Sequence, residues 1–137
     1  MSEPTPLQRC AEFDMSDYPL IRVAMQKVEI TDYNFQLYLN ELTTLYVAKN
    51  DIYILFDLRP MRIPSLRYQR MMADWVRDHS SIIQMHCVAC ATIVGNSLLR
   101  AVAELVNTMF RVPTSYEIFT QPAEAEEWLK TKMRTTR

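Results

Sequence analysis

Four arginines crowd one short stretch of this sequence: Arg59, Arg62, Arg67 and Arg70, with Ser65 among them. Arg67 and Arg70 are three residues apart, so on a helix they share a side. Arg59 and Arg62 precede them in a segment broken by Pro60 and Pro64. Guanidinium groups gathered at a helix amino terminus make an anion site, because free backbone N–H groups and the helix dipole point there too. The occupant would be a phosphate or the carboxylates of a protein partner. The plainer alternative is a solvated face whose arginines pair with Asp74, Asp78 or other nearby carboxylates. Ser65 has two compatible roles. As an N-cap its hydroxyl accepts from a free backbone amide, worth ~1 kcal/mol. As a phosphorylation site it would add about two negative charges beside the arginines.

Other residues invite other chemistry. Asp57 ends an apolar run, the place of the phosphoacceptor in response-regulator receivers. That chemistry also needs an acidic pair after the first strand, to hold magnesium, and a lysine after the last. Leu20–Lys27 has no acidic pair and Tyr116–Thr120 no lysine. Asp57 is therefore read as an acceptor for loop amides. His86, Cys87 and Cys90 suggest metal or redox chemistry. A reactive C-x-x-C sits at a helix start, where the dipole lowers the thiol pKa. Here the surrounding residues read as a strand, on which positions three apart point to opposite faces. A structural zinc needs four ligands, and neither Cys10 nor His79 is placed to complete a set. The expectation is three buried free thiols, with no metal and no cofactor. No nucleophile, base and orienting acid can be assembled from the remaining residues, so the chain is read as a non-enzyme.

The composition narrows the class. At 137 residues, with 49% hydrophobic and 23% charged, the chain suits one globular domain. The expected limits are a loose lead over residues 1–8, a domain over 9–133 and a frayed basic end over 134–137. A net charge of −1 offers no global field for nucleic acid. No apolar run approaches the ~20 residues of a membrane span. MSEPTPLQRC does not read as a secretory signal. Three cysteines, an odd count, fit a reducing, cytoplasmic setting. The single glycine excludes every glycine-rich phosphate loop.

The elements that must position these residues follow from periodicity. Cys10–Asp14 reads as a short edge strand, Asp17-Tyr18-Pro19 as a turn, and Leu20–Met25 as an antiparallel partner strand. Thr31 looks like an N-cap. Phe35, Tyr38, Leu39, Leu42, Leu45 and Tyr46 recur at helical steps, with Asn34 among the intervening outer residues. That helix is expected to end near Lys49-Asn50. Ile52–Phe56 is apolar on both faces, as in a covered central strand. A helix from Ser65 turns Tyr68, Met71, Met72, Trp75 and Val76 inward and ends near His79. Ile82 and Ile83 are expected beneath the loop that follows. Cys87–Val94 is another buried strand. Asn96 or Ser97 caps a helix with Leu98, Leu99, Val102, Leu105, Val106 and Met109 inward, and Pro113 punctuates. Tyr116–Phe119 is a strand, and Ala123–Lys132 a helix with Ala125, Trp128 and Leu129 inside. The order ββαβαβαβα predicts an α/β fold: a mixed, mostly parallel sheet of about five strands with four helices.

This order, with ILFDLRPMR leading into a helix and TQPAEAEEWL near the end, resembles the STAS domain. More closely, it is similar to the small stand-alone SpoIIAA-like proteins. The resemblance spans roughly Arg22 to Leu129. In the anti-sigma-factor antagonists an Asp-Ser pair followed by glycine starts the helix, and the first serine is phosphorylated by a partner kinase. Ser65 falls at about that place, although Pro64 stands where the aspartate would be and no glycine follows. The resemblance therefore implies, above all, a non-enzymatic module that binds a regulatory or kinase-like protein through this loop and helix. A homodimer is compatible with it.

Two further roles stay open beside that one. The aromatics Tyr33, Phe35, Tyr38, Tyr46 and Tyr53 could line a small-ligand or lipid pocket between the sheet and the helices at 31–49 and 97–109. Met61, Met71 and Met72 could offer an adaptable contact surface. Alternatively the chain is a structural subunit of a larger assembly, with Val112 and Met133 as contacts.

Overall fold

The computed structural model describes residues 8–110 and 114–135. The chain runs β1 (Ala11–Asp17), β2 (Leu20–Met25), α1 (Asp32–Thr44), β3 (Ile52–Asp57), α2 (Leu66–Asp78), α3 (Ser80–His86), β4 (Cys87–Ile93), α4 (Ser97–Phe110), β5 (Ser115–Phe119) and α5 (Pro122–Thr135). The strands form one sheet in the order β1-β2-β3-β4-β5. β1 is an antiparallel edge, and each later neighbouring pair is parallel. The expected mixed α/β sheet is thus observed, with one helix more than expected. Ile82 and Ile83, expected to pack beneath a loop, belong to α3, which sends Ile83 into the core.

Parallel neighbours in chain order require crossovers of one hand. The helices that join β2 to β3 and β3 to β4 accordingly share a face. Ile21, Val23, Ile52 and Ile54 pack there with Phe35, Leu39 and Leu42 of α1, Val76 of α2 and Ile83 of α3. The alternate strand residues, among them Leu20, Tyr53, Leu55, Ala89 and Ala91, meet Ala125 and Leu129 of α5. This is the two-residue period of a strand read from both sides. The small side chains of Ala89, Ala91 and Ala125 leave room for α5 to lie close to the sheet.

One irregularity redirects two candidate residues. Ile52 pairs with Cys87, but Tyr53 pairs with Ala89, so β4 carries one extra residue at that step. Such a β-bulge resets the alternation. Cys87 and Cys90 consequently join the same core cluster, while Val88 and Ala89 face α5. The two sulfurs therefore share a face and do not diverge.

Residues at the start of α1 lock the amino-terminal strand to the rest. Thr31 is the N-cap, and its Oγ1 accepts from Asn34 N at 3.1 Å while Asn34 Oδ1 accepts from Thr31 N at 2.9 Å. This is a reciprocal capping box. Asn34 is not an outer residue: it is 3% exposed. Its Nδ2 donates to Gln8 O and Glu29 O, both at 2.9 Å, and the Cys10 thiol donates to its Oδ1 at 3.0 Å. Every polar position of a buried amide is used, which is what burial demands.

Other boundaries also shift. α1 stops at Thr44, short of Lys49-Asn50, because Leu45, Tyr46 and Val47 donate to carbonyls three residues back. This tighter winding still buries Leu45 and Tyr46. Lys49, at φ 57°, ends the segment in the left-handed region. On α4, Leu99 and Ala103 are buried, but Leu98 and Leu105 point outward. The side chains of Val106 and Met109 lie outside the described residues, as do Val112, Pro113 and residues 1–7 of the lead. α5 continues to Thr135, past the expected end at Lys132. Met133 packs against the α5 core and is not a free contact.

Asn34→Ala removes both branches of the amide and strands several buried partners. It should destabilise the domain by about 2–3 kcal/mol. Urea unfolding followed by circular dichroism checks this. A loss under half a kilocalorie would mean that water replaces the amide and that the lock is not structural.

Candidate functional site

The junction from β3 to α2 begins with Asp57. Leu58 N donates to Ile93 O at 2.8 Å, which extends the strand pairing by one residue. Asp57 Oδ1 then accepts from Arg59 N at 3.0 Å, the loop-amide role expected of it. The Arg59 guanidinium also grips both carboxylate oxygens, at 2.9 and 2.7 Å. That contact holds the Asp57 carboxyl below the usual range, against the opposing effect of burial. Because the folded value is depressed, the pair stabilises the fold above the ordinary carboxylate pKa. The contribution fades as acid takes the pH down through the lowered value.

Ser65 occupies the N-cap position of α2 with extended backbone angles, φ −63° and ψ 162°. Its carbonyl accepts from Tyr68 N and Gln69 N, both at 3.1 Å. Its side chain, however, makes no capping hydrogen bond, which corrects the expected hydroxyl role. The residue is exposed, so water can serve the free amides instead. The hydroxyl is uncommitted and accessible.

Only part of the arginine cluster is free. Arg67 donates to Asp32 Oδ1 and Oδ2 at 2.9 and 2.8 Å, and Tyr68 Oη donates to the same Oδ1 at 2.9 Å. These bonds tie the first turn of α2 to the first turn of α1. They hold the Asp32 carboxyl low, Arg67 first and Tyr68 second, and push the Tyr68 phenol up. Asp74 and Asp78, the expected partners of the cluster, pair with Arg77. Arg62 and Arg70 are exposed and make no ion pair among the described residues. The anion site read from the sequence is therefore half neutralised from within. Asp32 and Tyr68 could not be found from spacing, since more than thirty residues separate them from each other.

Beneath α2 lies a feature that periodicity does not reveal. A half-open cavity of about 170 Å³ separates α1, α2 and α4 from the sheet. Its floor includes Ile54, Phe56, Cys87, Cys90, Thr92 and Tyr116. The half-buried members Met61, Pro64, Gln69, Met72, Val102 and Asn107 belong to the loop, α2 and α4, and form its rim. Of the five aromatics proposed for a pocket, Phe35, Tyr38 and Tyr46 line it. Tyr53 faces α5 on the other side of the sheet, and Tyr33 is 72% exposed. Met61 and Met72 line the cavity as well, whereas Met71 packs on the core beside it. α2 is pinned over this space at a second point, where Trp75 Nε1 donates to Thr43 Oγ1 at 3.0 Å.

The thiols are held in their unreactive form. Burial pushes Cys10 up to about 11 and Cys87 up to about 12, and raises Cys90 well above its ordinary value. All three are free and at most 5% exposed. His86 Nδ1 is buried without a hydrogen bond, 4.0 Å from Asp51 Oδ1. Among the described residues no group of three or more His, Cys, Asp or Glu side chains is arranged to hold a metal.

The native protein should react negligibly with Ellman's reagent at pH 8, and all three thiols should titrate once it is unfolded. A fast native phase would mean that one sulfur is both reachable and ionised, against the burial just described.

The fold of this chain has a counterpart among solved structures. It resembles the crystal structure of an uncharacterized protein from the DUF3478 family with a SpoIIAA-like fold, from Shewanella loihica PV-4. The TM-score is 0.66 at 14% identity, over 93% of this chain and 99% of that one. At that identity the likeness speaks for the fold alone. Among curated proteins, none matches. No helix of the described residues is long and apolar enough to cross a membrane. Residues 20–130 match the SpoIIAA-like family, nearly the stretch over which the resemblance was first read, and the chain belongs to that family.

Proposed function

We propose that this protein is a non-enzymatic SpoIIAA-like binding domain that takes a small apolar ligand into the cavity between the sheet and α1, α2 and α4. One observation carries the reading. Helix α2 spans an apolar space and is held over it by polar pins at Asp32 and Thr43. Protein interiors are close-packed, with few voids larger than a water molecule. A well-formed apolar cavity with a few polar groups in its wall is the default binding-site candidate. The buried free thiols suit a reducing, cytoplasmic setting.

A second reading rests on a different observation. Arg62, Ser65, Leu66 and Arg70 are all exposed, and the two arginines are unpaired among the described residues. Together they offer a basic and apolar face for a protein partner, with Ser65 open to phosphorylation. That face adjoins the cavity rim, so a bound ligand would alter what a partner meets there.

Native mass spectrometry of the purified protein, with Ala103→Leu beside it, tests the leading reading. Ala103 lines the cavity and is 8% exposed, so added methyl groups enter the empty space. The expectation is a co-purified small molecule on the wild type, lost from the variant, with a melting temperature equal or raised. An apo wild type whose capture of a protein partner disappears in Arg62→Glu/Arg70→Glu would favour the docking face instead.

A further inference from the structure

We infer that the cavity under α2 is selective for uncharged ligands: a single substituted ring bearing one hydroxyl or carbonyl, and not the corresponding carboxylate. This rests on the ligand-binding reading above and names its chemical class.

The first ground is the lining. Among the described residues that form it, none is Asp, Glu, Lys, Arg or His. An ion entering such a space gives up its water and meets no counter-charge, a cost that hydrogen bonds alone do not return. Of the four arginines that flank lining residues along the chain, Arg59 and Arg67 are committed to Asp57 and Asp32, and Arg62 and Arg70 are exposed and do not belong to the lining. The groups in the wall that could ionise stay neutral at physiological pH. Burial pushes the phenols of Tyr38, Tyr46 and Tyr116 and the thiols of Cys87 and Cys90 upward.

The second ground is a polar group waiting in an apolar wall. Tyr38 lines the cavity, and its hydroxyl makes no hydrogen bond among the described residues; it is not sealed off, since the one buried side-chain atom without a partner among them is His86 Nδ1. A hydroxyl open to an apolar cavity is a ready hydrogen-bond partner for a ligand that fills it. Tyr116 and Thr92 lie together on the same floor and add a further hydroxyl pair. A ligand with one neutral donor and acceptor would satisfy Tyr38 while its ring replaces void. A purely aliphatic ligand would leave that hydroxyl unmet.

The third ground is size. The cavity measures about 170 Å³, and an engineered apolar cavity of about 150 Å³ in another protein holds one benzene. The occupant is therefore one ring with short substituents. A long acyl chain would have to extend beyond that volume through the open side.

The test is calorimetric titration of the full chain at pH 7.5 with 4-ethylphenol, 4-ethylbenzoate and ethylbenzene, repeated on Tyr38→Phe and Ala103→Leu. 4-Ethylphenol should bind at least about 30-fold more tightly than 4-ethylbenzoate, the discrimination expected when a charge must be buried unpaired. Tyr38→Phe should weaken 4-ethylphenol on the order of 5-fold, the value of one hydrogen bond, while leaving ethylbenzene unchanged. Ala103→Leu should weaken both neutral ligands, which places them in this space; circular dichroism confirms that each variant is folded. Equal or tighter binding of 4-ethylbenzoate overturns the neutral class while leaving the ligand-binding reading intact, and its loss on Arg62→Gln would assign the carboxylate to that arginine. Binding of none of the three ligands overturns both.

Discussion

The handedness of the crossovers governs this molecule. Four parallel strands in chain order permit only one economical path: each connection climbs over the same face and returns beside the strand it left. Three connections, carrying α1, α2 with α3, and α4, are thereby laid side by side on one face of a narrow sheet. The other face is left to α5, the last element of the chain. The position of the cavity follows from this asymmetry of covering. Ala89, Ala91 and Ala125 allow α5 to press against the strands, and that side is filled. On the crowded side the helices must also meet one another, and space remains beneath them.

How that space persists is a matter of what spans it. α2 reaches α1 through Asp32 at one end and Thr43 near the other. An aromatic series, Phe13 to Tyr38 to Phe35 to Tyr68, runs from the sheet edge to the same helix, with ring centroids 5.3 to 6.2 Å apart. Tilted rings at such spacing carry weak but directional attraction. They act as struts as much as filler. The Arg67–Asp32 contact is fully exposed, so its value is positional: it fixes the azimuth of α2 without adding much to the stability of the whole. The same contact explains why the arginine cluster is weaker than its density suggests. Two of its four cations serve the architecture, Arg59 by closing the loop onto Asp57 and Arg67 by anchoring the helix.

The sulfurs illustrate how a one-residue irregularity changes chemical meaning. In a regular strand Cys87 and Cys90 would lie on opposite sides of the sheet. The extra residue in β4 turns both toward the cavity, beside the phenols of Tyr46 and Tyr38. Their burial nevertheless keeps them protonated. They contribute shape and polarisability to a neutral wall and are not nucleophiles. The pair also shows why sequence spacing of potential ligands is weak evidence when the register of a strand is unknown.

Local rules wrote much of this fold into the sequence. Two-residue and three-to-four-residue apolar periods located all five strands and four of the five helices, because burial of one face is a local demand that each element meets in its own residues. Thr31, Asp57 and Ser65 were legible for the same reason, since caps and strand ends are set by neighbours in the chain. What the sequence could not disclose depends on partners far away in it. Asn34 reads as an outer residue until Gln8, Cys10 and Glu29 close around it. Asp32 and Arg67 are unremarkable charges until two helix starts are brought together. The β4 bulge, the outward turn of Leu98 and Leu105, and the cavity itself were decided only when four helices were packed on one sheet face. A void is the failure of distant surfaces to meet, and no local pattern of residues encodes that.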